Sequence, residues 1–201
     1  MDSPPTSRKQ ATHDRILDTA AGVLRASGFQ GVGVADIMKR AGLTHGGFYA
    51  HFASREALLA EALERAGQDS QARMRRALDA GEARGDSRFQ ALVDNYLADR
   101  HLRSPESGCP VAALASEMPR QVDAVREAAA ARVEALTRAV AATLAPGQPR
   151  EAAGLIASQL VGALQIARTL GDNTKGRRHL AASRRFLLEQ FAPDAPPDTR
   201  H

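Results

Sequence analysis

Apolar residues in the first part of the chain recur at intervals of three and four positions, which is the spacing of one face of an α-helix. One such stripe, between residues 11 and 27, comprises Ile16, Leu17, Ala20, Ala21 and Leu24. Gly28 follows the stripe, and glycine readily adopts the left-handed conformation that ends many helices. The pattern therefore predicts a first helix over residues 11–27 that ends at Gly28.

Residues 34–52 contain two short helices joined by a tight turn. The first helix has its apolar stripe at Val34, Ile37, Met38 and Ala41 and ends at Gly42. Thr44 is a good N-cap for the second helix, because its hydroxyl can accept a hydrogen bond from an unpaired backbone N–H. Phe48 and Phe52 give that helix an apolar side. Two helices with so short a joint match a helix-turn-helix, whose second helix enters the major groove of DNA.

The rest of the chain keeps the helical spacing, and stretches rich in Gly and Pro separate the helices. The predicted helices cover residues 54–86, 87–101, 109–118, 121–144, 151–170 and 175–191. No strand is predicted, so the fold class is all-α. Four parts follow: a flexible arm over 1–9, a three-helix DNA-binding bundle over 10–54, a larger helical domain over 55–192 and a disordered tail over 193–201.

Composition and charge fit a water-soluble protein whose basic N-terminal part either suits a polyanionic partner or is an ordinary solvated surface. The chain has 201 residues, of which 43% are hydrophobic and 25% charged. Residues 1–55 hold seven Lys or Arg and four Asp, so most of the net charge of +4 lies there, as expected of a DNA-binding module. No apolar run approaches the roughly 20 residues that span a bilayer, and the N-terminus lacks the apolar segment of a signal peptide. A single cysteine cannot form an internal disulfide, and we expect a cytoplasmic protein without membrane contact.

The run GLTHGGFYAHFASREALL, residues 42–59, resembles the signature of the TetR family of transcriptional repressors. In that signature a small residue pair, an aromatic–Tyr–x–His–Phe run and a Ser–basic–Glu–x–Leu–Leu run follow one another. The resemblance covers roughly residues 10 to 65 well and the rest loosely. This chain departs from the family pattern at Gly33, where Thr or Ser is common, at Arg55, where Lys is common, and at Met38, where Ala is common.

The resemblance implies specific contacts with DNA. Tyr49 and His51 would contact backbone phosphates, with Arg55 beside them at the start of the next helix. Thr44, His45 and Gly46 would face base edges or phosphates. The residues implied in DNA binding are Gly33, Thr44, His45, Gly46, Tyr49, His51 and Arg55. The alternative is an ordinary helical hairpin in which the tyrosine and histidine are half-buried.

Small residues recur every four positions in the apolar helix 151–170. They are Gly154, Ser158 and Gly162, with Val161 among their apolar neighbours. Such spacing lets another helix pack closely, either within the chain or from a second copy. The resemblance implies the second arrangement, a four-helix bundle formed by the last two helices of each subunit in a homodimer, with Phe186 contributed by the last helix.

A ligand site is expected in the larger helical domain. Its polar or adaptable candidates are Tyr96, His101, Met118, Gln159 and Arg168. Cys109 stands at the predicted N-cap of a short helix, because Pro110 suits the first helical position. GCPVAALASE, residues 108–117, also looks like a segment of the electrophile-sensing branch of the family. Cys109 is therefore either a sensor of reactive compounds or an inert buried residue.

Enzymatic signatures are missing from the sequence. It contains no Gly-rich phosphate loop, no metal-spaced His, Cys or Asp cluster and no nucleophile elbow. We therefore predict no catalytic residue, metal or cofactor. The predicted function is that of a TetR-like regulator that represses by binding operator DNA as a homodimer and is released by a small-molecule or electrophilic inducer. The alternative is a helical architectural DNA-binding protein, or a protein-interaction adaptor, without a ligand.

Overall fold

The computed structural model describes residues 8–149 and 151–191, and within these ranges every regular element is a helix. The α-helices are α1 (Arg8–Ser27), α2 (Val34–Arg40), α3 (Arg55–Glu82), α4 (Arg88–Tyr96), α5 (Asp99–Arg103), α6 (Pro110–Leu114), α7 (Asp123–Ala141), α8 (Ala152–Leu170) and α9 (Thr174–Phe191). Short 3₁₀ helices cover His45–Ala50, Pro105–Ser107 and Met118–Arg120. The predicted all-α class is confirmed. The predicted tail over 193–201 and residues 1–7 of the predicted arm lie outside the described residues.

The described residues form two compact units that are not consecutive in sequence. The first unit comprises residues 8–71 and 104–134, and the second comprises residues 72–103 and 135–191 except residue 150. The predicted boundary between a DNA-binding bundle over 10–54 and a regulatory domain over 55–192 stays a prediction. The two compact units are divided differently, because α3 continues from the first unit into the second and residues 104–134 belong to the first unit.

Glycines end the first two helices, as the sequence predicted. Gly28 has φ +74° and Gly42 has φ +70°, both in the left-handed region. After Gly28 the chain turns back, and Phe29 is completely buried. The start of α1 differs from the prediction, since Arg8 and Lys9 are its first residues and not the end of an arm. Both are exposed.

Arg25 and Glu117 join residues 104–134 to α1. Arg25, only 7% exposed, donates from Nε to the carbonyl oxygen of Glu106 at 2.6 Å and from Nη1 to that of Ala66 at 3.2 Å. Its Nη2 lies 3.6 Å from a carboxylate oxygen of Asp69. Glu117 accepts a hydrogen bond from the backbone N–H of Phe29 at 3.0 Å. These long-range bonds explain why the segment belongs to the first unit.

The second unit is built on the packing of α8 against α9. The first turn of α9 needs glycine at position 176, because a Cβ added there would lie 2.2 Å from the carbonyl oxygen of Gly171. The residues of these two helices that are completely buried are Leu160, Leu164, Ala167 and Leu180. At the start of α4, Ser87 caps the helix by accepting from the N–H of Gln90 at 3.1 Å. Phe89 then packs edge-on against Phe191, with ring centroids 6.4 Å apart.

Among the described helices, α8 is long and apolar enough to cross a membrane, with a mean hydropathy of 1.2. Buried helices of water-soluble proteins meet the same criteria. Here one face of α8 packs on α9, and 44% of its most apolar window is buried.

We predict that Glu117→Ala destabilises the protein by about 1–3 kcal/mol, because the N–H of buried Phe29 loses its acceptor. Glu117→Gln keeps an acceptor oxygen and should lose less. The matched control is Glu127→Ala, since Glu127 is an exposed acid of α7 in the same unit. Denaturant unfolding at one protein concentration measures all three. Equal losses of stability for Glu117→Ala and Glu127→Ala would mean that the hydrogen bond from Phe29 to Glu117 does not stabilise the protein.

Candidate functional site

The helix-turn-helix has a buried aromatic side that fixes its second element. Phe48 and Phe52 are 1% and 2% exposed, and their rings stack with centroids 5.6 Å apart. The second element is a 3₁₀ helix and not the predicted α-helix. The two adjacent glycines, Gly46 and Gly47, explain the difference, because glycine is a poor α-helix former. Thr44 is the N-cap residue, as predicted, but its side chain makes no capping hydrogen bond.

The opposite side of this element faces solvent. Its exposed residues are Thr44, His45, Gly46, Tyr49 and Ala50. Tyr49 is 73% exposed, and Phe48 supports its ring edge-on at a centroid distance of 5.2 Å. A tyrosine held out from the surface offers a hydroxyl to a partner at little conformational cost. The structure therefore leaves four of the predicted DNA-binding residues accessible together.

His51 is half-buried beside a second histidine. Its ring centroid lies 6.0 Å from that of His13, which stacks on Phe52 at 4.5 Å and lies 2.9 Å from Glu61. The Nδ1 atom of His51 is buried and has no hydrogen-bond partner among the described residues. Burial, followed by the charges of His13 and Lys9, lowers the pKa of His51 below its usual 6.5. In the isolated chain His51 is therefore biased towards the neutral form.

Arg55 holds the loop before α2. Its Nη2 donates to the carbonyl oxygen of Phe29 at 2.5 Å, and its Nε donates to that of Val32 at 3.1 Å. Two of its donor groups therefore bond within the unit. The predicted phosphate contact would require them to point outwards. Ser54, just before it, caps α3 by accepting from the N–H of Ala57 at 3.1 Å.

Gly33 is the N-cap residue of α2 and has the extended conformation of such residues, with φ −87° and ψ 128°. A Cβ added there meets no atom within 4 Å. A serine or threonine would therefore fit, and the glycine contributes only its backbone to this helix start.

In the second unit, three of the five predicted ligand residues come together. The rings of Tyr96 and His101 meet edge-on with centroids 4.9 Å apart. The Nδ1–H of His101 donates to the carbonyl oxygen of Tyr96 at 2.7 Å, and Arg168 donates to the carbonyl oxygen of His101 at 2.8 Å. Gln159 is exposed on α8 and is not part of this group, so its place in a ligand site stays a prediction. Met118 is a buried residue of the first unit.

Burial, followed by the charges of Arg168, Arg73 and Arg100, lowers the pKa of His101 from 6.5 to about 4. Arg73 is the residue of this group that the sequence did not predict. The hydrogen bond with the Tyr96 carbonyl opposes the shift. Arg73 stands in a polar stretch of α3 whose sequence carries no signal that one of its arginines turns inwards.

Cys109 is the N-cap residue of α6, as predicted, and Pro110 is the first helical residue. The cysteine is 6% exposed, so its burial agrees with the inert alternative for this residue.

The predicted dimer surface is open. Leu155 and Ile166 on α8 are 67% and 50% exposed, and Phe186 on α9 is 51% exposed. Ser158 is exposed, and Gly154, Val161 and Gly162 are half-buried. A Cβ added at Gly154 or Gly162 meets no atom within 4 Å. The glycines are therefore not required by packing within the chain, and the internal alternative for the small-residue stripe is not supported.

Comparisons with known proteins agree with this architecture. Residues 16–62 match the family model for bacterial regulatory proteins of the tetR family, and residues 85–183 match the model for a tetracyclin repressor-like C-terminal domain. The chain belongs to the TetR family.

Named relatives and solved structures of the family cover most of the chain. An uncharacterised HTH-type transcriptional regulator of Mycobacterium tuberculosis is 29% identical over 177 residues, which are 82% of this chain and 88% of the relative. The reduced form of Escherichia coli NemR has a TM-score of 0.75 at 21% identity, covering 92% of this chain and 100% of NemR. A TetR-family regulator of Agrobacterium tumefaciens has a TM-score of 0.70 at 21% identity, with 92% and 100% covered.

Membership of the TetR family confirms the predicted class of function. The chain is a DNA-binding transcriptional regulator with an N-terminal helix-turn-helix and a C-terminal helical domain, and members of this family are regulators, not enzymes. The competing prediction of a protein-interaction adaptor is thereby set aside.

We predict that protonation of His101 makes the folded protein less stable in acid. Its folded pKa of about 4 lies below the unfolded value of 6.5, so the unfolded state binds the proton first. Its contribution is complete above pH 6.5 and is lost as pH falls from 6.5 towards 4, by at most about 3 kcal/mol.

The test compares His101→Gln with the wild type by denaturant unfolding at pH 7.5 and pH 4.5, at one protein concentration. Glutamine removes the titrating group, so the variant should lose less stability on acidification. His45→Gln, at an exposed residue, is the control and should behave like the wild type. The same acid loss in wild type and His101→Gln would show that His101 does not cause it.

Proposed function

We propose that this chain is a repressor that binds operator DNA as a homodimer and releases it when a small molecule binds the second unit. The observation that carries the DNA-binding half is the solvent-facing side of the 3₁₀ helix His45–Ala50, whose opposite side is fixed by buried phenylalanines. A transcriptional regulator must be in the same compartment as the DNA that it binds. The cytoplasmic location of this chain stays a prediction.

In the proposed complex the 3₁₀ helix enters the major groove. Thr44, His45 and Gly46 face base edges or phosphates, and Tyr49 and His51 contact the phosphate backbone. We assign Arg55 an indirect part, since its bonds to Phe29 and Val32 hold the loop before α2. Gly33 would bring only its backbone towards the DNA.

We predict that binding of DNA becomes tighter as pH falls from 8 to 6, through His51. A phosphate favours the protonated form of His51, whose pKa in the isolated chain is lowered, so binding takes up a proton. The effect is at most about tenfold in the dissociation constant per pH unit, because one proton is involved.

Fluorescence anisotropy with labelled duplex at constant ionic strength measures this dependence. His51→Gln should flatten it. Tyr49→Phe is the comparison variant, because it removes a hydroxyl that stays neutral over this range and should weaken binding by a similar factor at every pH. A His51→Gln protein with the pH dependence of the wild type would mean that His51 makes no phosphate contact.

The proposed function as a whole is tested by selecting bound duplexes from a random library with the full-length chain. Two-fold symmetry of the protein should enrich a site with two related half-sites, whose centres are about one helical turn of DNA or more apart. Recovery of DNA without any enriched sequence would favour the architectural alternative instead.

The proposed dimer is formed by α8 and α9. Leu155, Ile166 and Phe186 provide exposed apolar area, and contiguous patches of this kind mark interaction surfaces. The open space at Gly154 and Gly162 allows a helix of the second copy to approach closely.

We predict that Gly162→Glu weakens the dimer, because it places bulk and a charge in the proposed contact. The single chain should tolerate it, since a Cβ there meets nothing and glutamate favours a helix more than glycine does. Sedimentation at several concentrations measures association, with circular dichroism to verify the fold. Ala130→Glu, on the exposed side of α7 in the first unit, is the control. An unchanged dimer in Gly162→Glu would place the interface elsewhere.

We assign release of DNA to a non-covalent ligand. The thiol of Cys109 is 6% exposed and therefore poorly accessible to reactive compounds, which favours a non-covalent ligand. Sensing of electrophiles by Cys109 stays a prediction. The cluster of Tyr96, His101 and Arg168 is the proposed ligand site, whereas Gln159 lies outside it.

A further inference from the structure

We propose that the second unit binds a small organic carboxylate between Arg73, Arg168, Tyr96 and His101, which we call the arginine cluster. The inference rests on the proposed function only for its consequence, the release of DNA. The existence of the site and the class of its ligand depend only on the residues of this unit.

The arginine cluster draws its side chains from four helices of one unit. Arg73 lies on α3, Tyr96 at the end of α4, His101 on α5 and Arg168 on α8. Tyr96 is 2% exposed. The edge-on contact of its ring with His101 and the bond from Arg168 to the His101 carbonyl hold three of the four in place. Side chains from several helices that converge on one point are typical of ligand sites in helical domains.

Arg73 carries a buried donor that the protein does not use. Its Nη2 is buried and has no hydrogen-bond partner within the described part of the chain. A buried cationic donor without an acceptor is costly, and each such group in a native protein calls for an explanation. A ligand that supplies an acceptor oxygen at this point is the explanation that fits a regulator.

The acids nearest in sequence are committed to other arginines. Asp94 lies 3.6 Å from Arg184, and Asp99 lies 3.6 Å from Arg177. Arg100, which also acts on His101, donates to the neutral amide oxygen of Asn95. Both acids are therefore paired with arginines that are not members of the cluster.

His101 adds no positive charge to the cluster at neutral pH. Its pKa of about 4 means that at pH 7 the cluster carries arginine charges without an added imidazolium. The same arginines that lower the pKa would attract an anion. Because a guanidinium matches the two oxygens of a carboxylate and the ring of Tyr96 offers an apolar surface, the fitting ligand is a carboxylate with an apolar or aromatic body.

The test uses the full-length chain and defined probes: acetate, octanoate, benzoate and salicylate, each paired with its neutral amide at constant ionic strength. Thermal unfolding identifies binding, and titration calorimetry gives the dissociation constant. At least one carboxylate should raise the melting temperature in a saturable way that its amide does not reproduce. If no carboxylate exceeds its amide, the proposal is overturned.

Arg73→Met separates a binding role from a structural one. Methionine keeps much of the side-chain volume without the charge, so the variant should weaken the best carboxylate about tenfold or more. Without ligand its melting temperature should be unchanged or higher, since an unpartnered buried donor is removed. Arg75→Met, at an exposed arginine of the same helix, is the control and should bind like the wild type. A lower melting temperature of unliganded Arg73→Met, or equal weakening by Arg75→Met, would refute the site.

Release of DNA is measured separately, by adding the best carboxylate to the protein on its selected duplex. Release in the wild type but not in Arg73→Met supports the cluster as the inducer site. Binding by calorimetry without release of DNA would leave the anion site in place and refute its inducer role. A wild type that selects no DNA would refute the proposed function, while the calorimetric result on the site would still stand.

Discussion

The buried guanidinium of Arg25 is the interaction on which the first unit depends. A cation that is 7% exposed is stable only if its donors are satisfied and its charge is balanced. Arg25 meets both conditions with carbonyl oxygens of Glu106 and Ala66 and the carboxylate of Asp69. Because these partners come from α3 and from residues 104–107, loss of any one would leave a buried charge incompletely paired. The requirement ties two distant stretches of sequence to α1.

The bonds of Arg25 and Glu117 hold the segment after residue 104 in the same unit as α1, and this changes what the segment can do. Cys109 and Met118 were expected in a regulatory domain separate from the DNA-binding bundle, yet both belong to the same unit as α1. Glu117 bonds directly to the backbone of Phe29, next to the left-handed Gly28 that ends α1. A movement of residues 104–117 would therefore reach the helix-turn-helix through hydrogen bonds within one unit. Coupling of this kind needs only two arrangements of one packed element.

The sequence correctly predicted the features that depend on neighbouring residues in the chain. The stripe from Ile16 to Leu24, the stops at Gly28 and Gly42 and the aromatic pair Phe48 and Phe52 follow from spacing and backbone freedom, and they gave the helix-turn-helix correctly. The inward bonds of Arg55 and the partners of Arg25 did not follow, because they depend on residues up to 81 positions apart. The sequence of a helix does not show whether its arginine contacts water or a buried carbonyl. The 3₁₀ geometry of the second element was also missed, although Gly46 and Gly47 are a local signal against an α-helix.

The two units contain the same chemical problem, an arginine with buried donor groups, in two different states. Arg25 finds two carbonyls and a carboxylate from its own chain, so it contributes to the stability of the fold. Arg73 has a buried Nη2 without a partner among the described residues, beside a histidine that burial and neighbouring cations keep neutral. In the proposed site, the incomplete pairing of Arg73 is a place for an acceptor that arrives with a ligand, at a cost in stability that such sites commonly carry.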